Sequence, residues 1–376
     1  MKFLLISPKN RTVWNFRGDL IRDLQARGWE VTVTGPDRTD EDRIRALGVR
    51  FIEIPMNKTG TSALQDLHYL RALCRTLRAE RPDATLAYTS KPVIYGSVAA
   101  KLLGVRNCSA MITGGGYTFT AKTLKARLLG FVVRHLYRVS LRCCSQVIFQ
   151  NPDDRDEFIR LGLVPANKCE VVRGSGVNME KFCPGEPREA NRPLTFLMVS
   201  RLLKSKGVTE YLEAAKLLKQ KYPELDFRLL GKYETDMQDA VPTALVKEYE
   251  DAGVITRYGE TRDMVDFYRN CDVYVLPSYR EGTPRTVLEA MACGRPIVTT
   301  DANGCRETVE DGVNGYLVPP RDSAALAEAL ERYVHHPELL KPQGEASLNL
   351  CRDRFEVHKV NEDMLRFMCV NGDGSD

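Results

Sequence analysis

The chain has 376 residues, 43% of them hydrophobic and 28% charged, with a formal net charge of +4. That composition excludes a disordered or fibrous chain and allows core for two globular domains. No apolar run approaches the roughly 18 residues of a spanning helix, and the apolar start of MKFLLISPKN is too short for a signal peptide. The eleven cysteines are scattered, with neither a C-x-x-C pair nor a zinc spacing. Reduced cytosolic thiols and no structural zinc are expected. Charge is unevenly divided: residues 1–184 carry +12 and the remainder −8. The basic half is expected to meet an anionic surface.

In chain order, Phe3–Ile6 reads as a strand, Phe16–Ala26 as an amphipathic helix, and Glu30–Thr34 and Arg50–Ile54 as strands. Leu64–Glu80 is a helix with Leu67, Leu70, Leu73 and Leu77 on one face. Asp83–Tyr88 is a strand and Ile94–Leu103 a helix. Asn107–Ile112, Gln146–Gln150 and Cys169–Val172 complete a β/α series, which predicts a parallel, doubly wound sheet. After Asn107–Ile112 comes Thr113-Gly114-Gly115-Gly116-Tyr117. It is either a loop that lets a ligand approach the backbone or a plain turn. Ala121–Cys144 interleaves Lys122, Lys125, Arg127, Arg134, Arg138 and Arg142 with leucine, phenylalanine and valine, and no Asp or Glu occurs between Asp83 and Asp153. This is the pattern of a basic amphipathic helix lying on anionic lipid, or of a core helix with a solvated basic face. No aromatic-interleaved basic motif supports nucleic acid as the partner.

Glycines and prolines from Gly174 to Pro187 place a domain boundary near 184–193. The expected domains are 1–184 and 185–354, with a helix at 355–370 packing back on the first. A second alternation follows: strands at Leu194–Ser200, Asp226–Leu230, Val254–Tyr258, Val273–Leu276, Ile297–Thr300 and Tyr316–Val318. Helices are expected at Gly207–Lys219, Leu245–Ala252, Met264–Asn270, Pro284–Cys293, Ser323–Tyr333 and Phe355–Phe367. In open parallel sheets ligands bind beyond the carboxyl ends of the strands. Arg201 and Lys206 follow the Leu194–Ser200 strand and can neutralise a diphosphate together. After Val273–Leu276, a loop leads to Thr283 as helix N-cap and Pro284 at the first helical position, an anion-binding N-terminus. Glu281 in that loop and Glu289 inside the helix can each accept hydrogen bonds from hydroxyls. Phosphate plus hydroxyls suggests a nucleotide sugar. Paired carboxylates also suggest a glycosidase, but a hydrolase has no need of the Arg–Lys pair. Asp40-Glu41-Asp42 superficially matches a metal-binding D-x-D, yet N-capping of the helix that follows explains it better.

EGTPRTVLEAMACGRPIVTTDANGCRETVEDGVNGYLVPP resembles the donor-site region of family 4 glycosyltransferases, retaining enzymes of the GT-B fold. SRLLKSKGV resembles that family's diphosphate loop and GSGVNMEKFCP its interdomain segment. In the first half, NFRGDLIRDLQARGWEV, TSKPVIYGSVAAKLLGV and ITGGGYTFT resemble α-1,3-N-acetylgalactosaminyltransferases that extend undecaprenyl-diphosphate-linked glycans. The resemblance implies an α/β GT-B architecture, two Rossmann-like domains facing an interdomain cleft. It implies a metal-independent enzyme without a cofactor, which moves a sugar from a UDP-sugar to a polyprenyl-diphosphate-linked acceptor. N-acetylhexosamine, and within that class GalNAc, is the expected sugar. The enzyme would act as a peripheral monomer at the cytoplasmic face of the membrane. Arg201 and Lys206 would then hold the donor diphosphate, Glu281 the sugar hydroxyls beside Gly282, Thr283 and Pro284, and Glu289 the ribose. Backbone N–H groups of Thr286, Val287 and Leu288 would meet phosphate and ribose, and Tyr258 the base. Arg17, Gly18, Lys91, Gly114, Gly115, Gly116 and Tyr117 are expected on the acceptor side; of these Arg17, Lys91 and Tyr117 follow strand ends, and each either contacts the acceptor or serves a structural salt bridge. Many family members carry a histidine where this chain has Thr113, and none of its five histidines stands there. No protein general base is evident. The resemblance implies front-face substitution, with the departing phosphate taking the acceptor's proton, and the sequence is compatible with it. A GT-B transferase with a soluble acceptor, a GT-B nucleotide-sugar epimerase and a non-enzymatic scaffold stay as alternatives.

Overall fold

The structure is a computed structural model that describes residues 1–57, 62–114, 124–186, 192–234, 237, 239–261 and 263–370. The chain divides into two compact units, Met1–Ser175 with Val357–Asp376, and Gly176–Glu356.

The first unit is built on β1 (Lys2–Ile6), β2 (Glu30–Gly35), β3 (Arg50–Glu53), β4 (Ala84–Tyr88), β5 (Asn107–Ile112), β6 (Gln146–Phe149) and β7 (Cys169–Val171). All pairings are parallel, in the order β3-β2-β1-β4-β5-β6-β7. Its helices begin with α1 (Asn10–Phe16), α2 (Gly18–Ala26), α3 (Glu41–Arg45), α4 (Ala63–Glu80), α5 (Ser90–Leu102), α6 (Leu124–Cys143) and α7 (Pro152–Arg160). Alternate strand residues feed two cores, as a sheet covered on both faces requires. Phe3 and Leu5 pack with Val13, Leu20 and Leu24, whereas Leu4 and Ile6 pack with Leu73, Val93 and Leu141.

The second unit is built on β8 (Thr195–Val199), β9 (Asp226–Leu230), β10 (Thr256–Tyr258), β11 (Val273–Leu276), β12 (Ile297–Thr300) and β13 (Gly315–Val318), in the parallel order β10-β9-β8-β11-β12-β13. Its helices are α8 (Val208–Lys221), α9 (Thr243–Asp251), α10 (Val265–Arg269), α11 (Arg285–Ala292), α12 (Ser323–His335) and α13 (Leu340–Arg354). The last helix, α14 (Val357–Phe367), belongs to the first unit. It buries Val360, Met364 and Leu365, and Asp23 of α2 accepts hydrogen bonds from Asn361 Nδ2 at 2.7 Å and bonds His358 Nδ1 at 2.9 Å.

Several local expectations change. The boundary falls at 175/176, not 184, because the segment after it is core of the second unit. Val177 and Phe182 are buried there, Val177 N–H donates to Phe355 O at 2.8 Å, and Arg269 Nε donates to Cys183 O. The first helix is two helices broken at Arg17, whose φ is −127°. Leu67 faces solvent and Tyr69 takes the buried position beside Leu73 and Leu77. α7 and α13 are helices that hydrophobic periodicity did not reveal. Asn151 caps α7 by accepting from Asp154 N–H at 2.8 Å, with Pro152 in the first turn. In α13, Pro342 lies in the first turn, where an N–H has no intrahelical acceptor to lose.

The second sheet carries an ion pair whose carboxylate is buried and whose arginine is a quarter exposed. Arg192 donates to Asp272 through both terminal nitrogens at 2.9 and 2.7 Å, and Asp272 also accepts from Thr195 N–H at 2.8 Å. The Asp272 side chain is 1% exposed. Removing Asp272 takes away charged hydrogen bonds to Arg192 and Thr195 but leaves an arginine that can reach water, a loss of about 1.5–3 kcal/mol. Asp272→Ala is expected to destabilise the second unit by that order in urea unfolding followed by tyrosine fluorescence; a loss under about 1 kcal/mol would refute the pair's structural weight.

Candidate functional site

Strand order reverses between β8 and β11 in the second unit, since successive strands leave β8 toward β9 and β10 and then return to β11 on its other side. A crevice opens at the carboxyl ends of such neighbours. Two loops meet there. The first runs from Ser200 through a short 3₁₀ turn, Lys204–Lys206, into α8. The second runs from Pro277 to Pro284 into α11. They touch closely enough to restrict sequence. Gly207 has φ +74°, and a Cβ there would stand 2.1 Å from Pro277 O. Ser205 O accepts from Tyr279 N–H at 2.9 Å and from the Ser278 hydroxyl at 3.1 Å. On its other side the second loop meets the residues after β12. Glu281 N–H donates to Asn303 O at 2.9 Å, and a Cβ on Gly304 would stand 2.3 Å from both Glu281 O and Gly282 O.

This packing brings Lys206 and Glu281 together. Lys206 Nζ donates to Glu281 Oε1 at 2.5 Å, with the two side chains 20% and 14% exposed. A cation suited to phosphate and a carboxylate suited to hydroxyls thus share one point, each within reach of solvent. Arg201 opens the same loop from an exposed position, and its Nη1 lies 3.5 Å from Met237 Sδ.

The start of α11 is one residue later than the sequence suggests. Pro284 has ψ 106° and stands at the N-cap, displacing Thr283 from that role. Val287 N–H and Leu288 N–H both donate to Pro284 O. Those two amides are therefore engaged in the helix itself; of the three expected to face a ligand, only that of Thr286 precedes the internal bonding. Glu289 is buried. Its Oε2 accepts from Tyr268 OH at 2.8 Å and its Oε1 from Arg285 Nε at 3.2 Å. Burial pushes the Glu289 carboxyl above its ordinary value, against the pull of Arg285 and Tyr268. Burial, then the Glu289 charge, pushes the Tyr268 phenol well up, so it stays a donor. Tyr258 ends edge strand β10; its carbonyl accepts from Gly231 N–H and its ring packs on Phe267, with centroids 5.0 Å apart.

In the first unit the order reverses between β1 and β4. A hydroxyl cluster sits at that point: Tyr88 OH lies 2.6 Å from Ser7 Oγ and 2.9 Å from Thr12 Oγ1. Arg17 is buried beside it. Its guanidinium lies 5.2 Å from the Tyr88 ring centroid, and Nη2 donates to Met111 Sδ at 2.7 Å. Gly18, buried, opens α2. Lys91 is held by Asp66 at 2.6 Å, and the other oxygen of Asp66 accepts from Tyr95 OH at 2.8 Å. That ion pair gives Lys91 a structural role in joining α5 to α4. Gly114 follows β5 with φ +113°; Gly115, Gly116 and Tyr117 lie outside the described residues.

Residues 182–349 match the model of glycosyl transferases group 1, and residues 12–174 match the glycosyl transferase 4-like domain. The chain is 30% identical to an N,N'-diacetylbacillosaminyl-diphospho-undecaprenol alpha-1,3-N-acetylgalactosaminyltransferase of Campylobacter jejuni, over 90% of this chain and 91% of the relative. It belongs to the group 1 glycosyltransferases. A UDP-Gal:alpha-D-GlcNAc-diphosphoundecaprenol alpha-1,3-galactosyltransferase of Escherichia coli is 27% identical, over 76% of this chain and 74% of that protein. Among solved structures, Anabaena HepE in complex with UDP superposes with a TM-score of 0.80 at 19% identity, covering 98% of this chain and 100% of that one.

For this glycosyltransferase the two carboxylates of the loop and helix are neutralised separately, Glu281 by Lys206 and Glu289 by Arg285. Sequence reasoning missed Tyr268, Tyr279 and Glu210 in the second unit and Ser7, Thr12 and Tyr88 in the first. Ser7 and Tyr88 stand at strand ends, which is a signal, but their meeting depends on β1 lying beside β4.

The raised carboxyl of Glu289 has a pH consequence. Folding favours its protonated form, so that stabilising contribution is complete below the ordinary carboxyl range and is lost as pH rises through the folded value. Glu289→Gln is expected to unfold at a higher temperature than wild type at pH 7.5, with the difference shrinking as pH falls toward 4. Calorimetry of unfolding across pH checks this; a variant less stable than wild type at pH 7.5 would contradict the sign.

Proposed function

We propose that the glycosyltransferase is a retaining, metal-independent enzyme that moves an N-acetylhexosamine, best matched by N-acetylgalactosamine, from a UDP-sugar to a polyprenyl-diphosphate-linked acceptor in glycan assembly. The Lys206–Glu281 pair carries this reading, because it sets a phosphate-binding cation against a hydroxyl-binding carboxylate at the switch point of the second sheet. Arg201 and Lys206 stabilise the charge that develops on the departing diphosphate, the largest electrostatic demand of the transfer. Glu281 orients the donor sugar through its hydroxyls and Glu289 holds the ribose. The bond from the anomeric carbon to the diphosphate oxygen breaks, the acceptor oxygen bonds to that carbon on the same face, and the departing phosphate oxygen takes the acceptor's proton. The relatives from Campylobacter jejuni and Escherichia coli, whose names specify undecaprenol-linked diphosphate acceptors, support the acceptor class.

The reading places the enzyme on the cytoplasmic face of a membrane, held by α6. Phe131, Val132 and Val139 are 64%, 47% and 49% exposed, and His135, Arg138 and Arg142 are exposed with them. Apolar side chains among basic ones suit an anionic lipid surface. Arg138 is partly engaged, donating to the carbonyls of Leu161 and Gly162 after α7. Arg134 and Arg142 are therefore the better probes. No helix among the described residues is long and apolar enough to cross a membrane.

Transfer of radiolabelled sugar from UDP-N-acetylgalactosamine, UDP-N-acetylglucosamine, UDP-galactose and UDP-glucose to an undecaprenyl-diphosphate-linked N-acetylhexosamine tests the reaction. Lys206→Ala is expected to lower kcat by roughly 10²-fold or more. Glu281→Gln should impair sugar transfer more than UDP binding. Wild-type kinetics in Lys206→Ala would overturn the donor site, and product formed without acceptor would point to an epimerase. Arg134→Gln with Arg142→Gln should weaken binding to phosphatidylglycerol-containing vesicles roughly thirtyfold, at about 1 kcal/mol per charge; unchanged flotation would refute the α6 surface.

A further inference from the structure

Beyond the residues that would touch the donor, the second unit has a side chain that joins both of its donor loops. Tyr279 lies between Ser278 and Glu281 in the loop after β11. Its backbone N–H reaches Ser205 O in the turn that carries Lys206, at 2.9 Å. Its hydroxyl donates to Glu210 Oε1 at 2.5 Å, in the first turn of α8 just beyond that same turn. Its ring lies under the Arg321 guanidinium, 4.5 Å from the centroid, and Arg321 follows β13. Glu210 is 8% exposed, and its Oε2 makes no hydrogen bond among the described residues. Burial of a carboxylate is costly unless it is bonded, so Tyr279 OH is the contact that justifies the position of Glu210. Burial and the Glu210 carboxylate together hold the phenol above its ordinary value, which keeps it a donor.

We propose that Tyr279 and Glu210 form a positioning pair that sets the Lys206 ammonium against Glu281 and so fixes the register between diphosphate and sugar subsites. Tyr279 clamps the Lys206 turn from both sides, by main chain at Ser205 and by side chain at Glu210, while Glu281 stands two residues away on the same loop. A shift of this loop against the turn would move the carboxylate relative to the ammonium without removing either. The pair thus acts on the reaction through Lys206 and Glu281 and not by contact with substrate. The inference rests on the donor-site reading above.

The experiment compares Tyr279→Phe, which keeps the ring, with Glu210→Ala, Glu210→Gln and the Tyr279→Phe/Glu210→Ala double variant. Lys206→Ala serves as reference, and the four UDP-sugars named above are the donors. Displacements under an ångström or so at reacting groups cost up to about 10²-fold. Each of Tyr279→Phe and Glu210→Ala is expected to lower kcat about tenfold while UDP binding by calorimetry changes less than about twofold. Glu210→Gln, which still accepts the hydroxyl's hydrogen bond, should keep kcat within about twofold of wild type. The double variant should be no slower than the slower single one, as coupled residues require. Amide hydrogen exchange supplies a readout that needs no turnover: Glu210→Ala should speed exchange in residues 277–282 as well as 203–208. Unchanged kcat in Tyr279→Phe while Lys206→Ala is inactive would overturn the positioning role and leave the donor site standing. So would multiplicative losses in the double variant, an equal loss of UDP binding, or faster exchange confined to α8. Wild-type kinetics in Lys206→Ala would instead overturn the donor site itself.

Discussion

The Ser205 carbonyl accepts two hydrogen bonds from the loop after β11, and the geometry of the donor site depends on that junction. It exists because a turn at Gly207 can approach the Pro277 carbonyl, a closeness that no side chain at 207 permits. With the two loops joined, the Lys206 side chain reaches Glu281. The cation and the carboxylate are brought together by backbone, before any ligand is considered. In the proposed transfer, preorganised charge of this kind would need no rearrangement as the leaving group departs.

The same junction explains why the chemistry of the loop is spread over groups that do not resemble a catalytic motif. Tyr279, Glu210, Asn303 and Gly304 all press on the segment that bears Glu281. Three carboxyl-end loops besides its own meet it, those that follow β8, β12 and β13. Parallel sheets place every such loop on one edge, so a residue on one can be constrained by several others. Glu289 shows the complementary arrangement. It is buried in its helix and held at fixed orientation by Tyr268 and Arg285, at a cost in ionisation.

The first unit follows another logic. Its switch point is lined by hydroxyls that bond one another and by a buried arginine next to a tyrosine ring. Lys91, which sequence spacing offered as an acceptor contact, is drawn to Asp66 because α4 and α5 pack side by side on the same face of the sheet.

By itself the sequence determined the alternation of strand and helix, the two Rossmann-like sheets, and the segments that bear Arg201, Lys206, Glu281 and Glu289. Periodicity, strand-end glycines and motif spacing are local properties, so they survive without coordinates. It misplaced the unit boundary, because the burial of Val177 and Phe182 depends on neighbours distant in the chain, and it overlooked α13, whose Pro342 reads as a helix breaker until it is seen to lie in the first turn. Only the tertiary structure decided that Lys206 meets Glu281, that Lys91 meets Asp66, that Val287 and Leu288 amides are held by Pro284, and that Tyr279 reaches Glu210. The Pro284 bonds are local to the first turn of α11 and turn on where that helix starts; the other three are contacts between elements distant in the chain, brought together by the strand order and helix packing of each sheet and not by any residue's own preference.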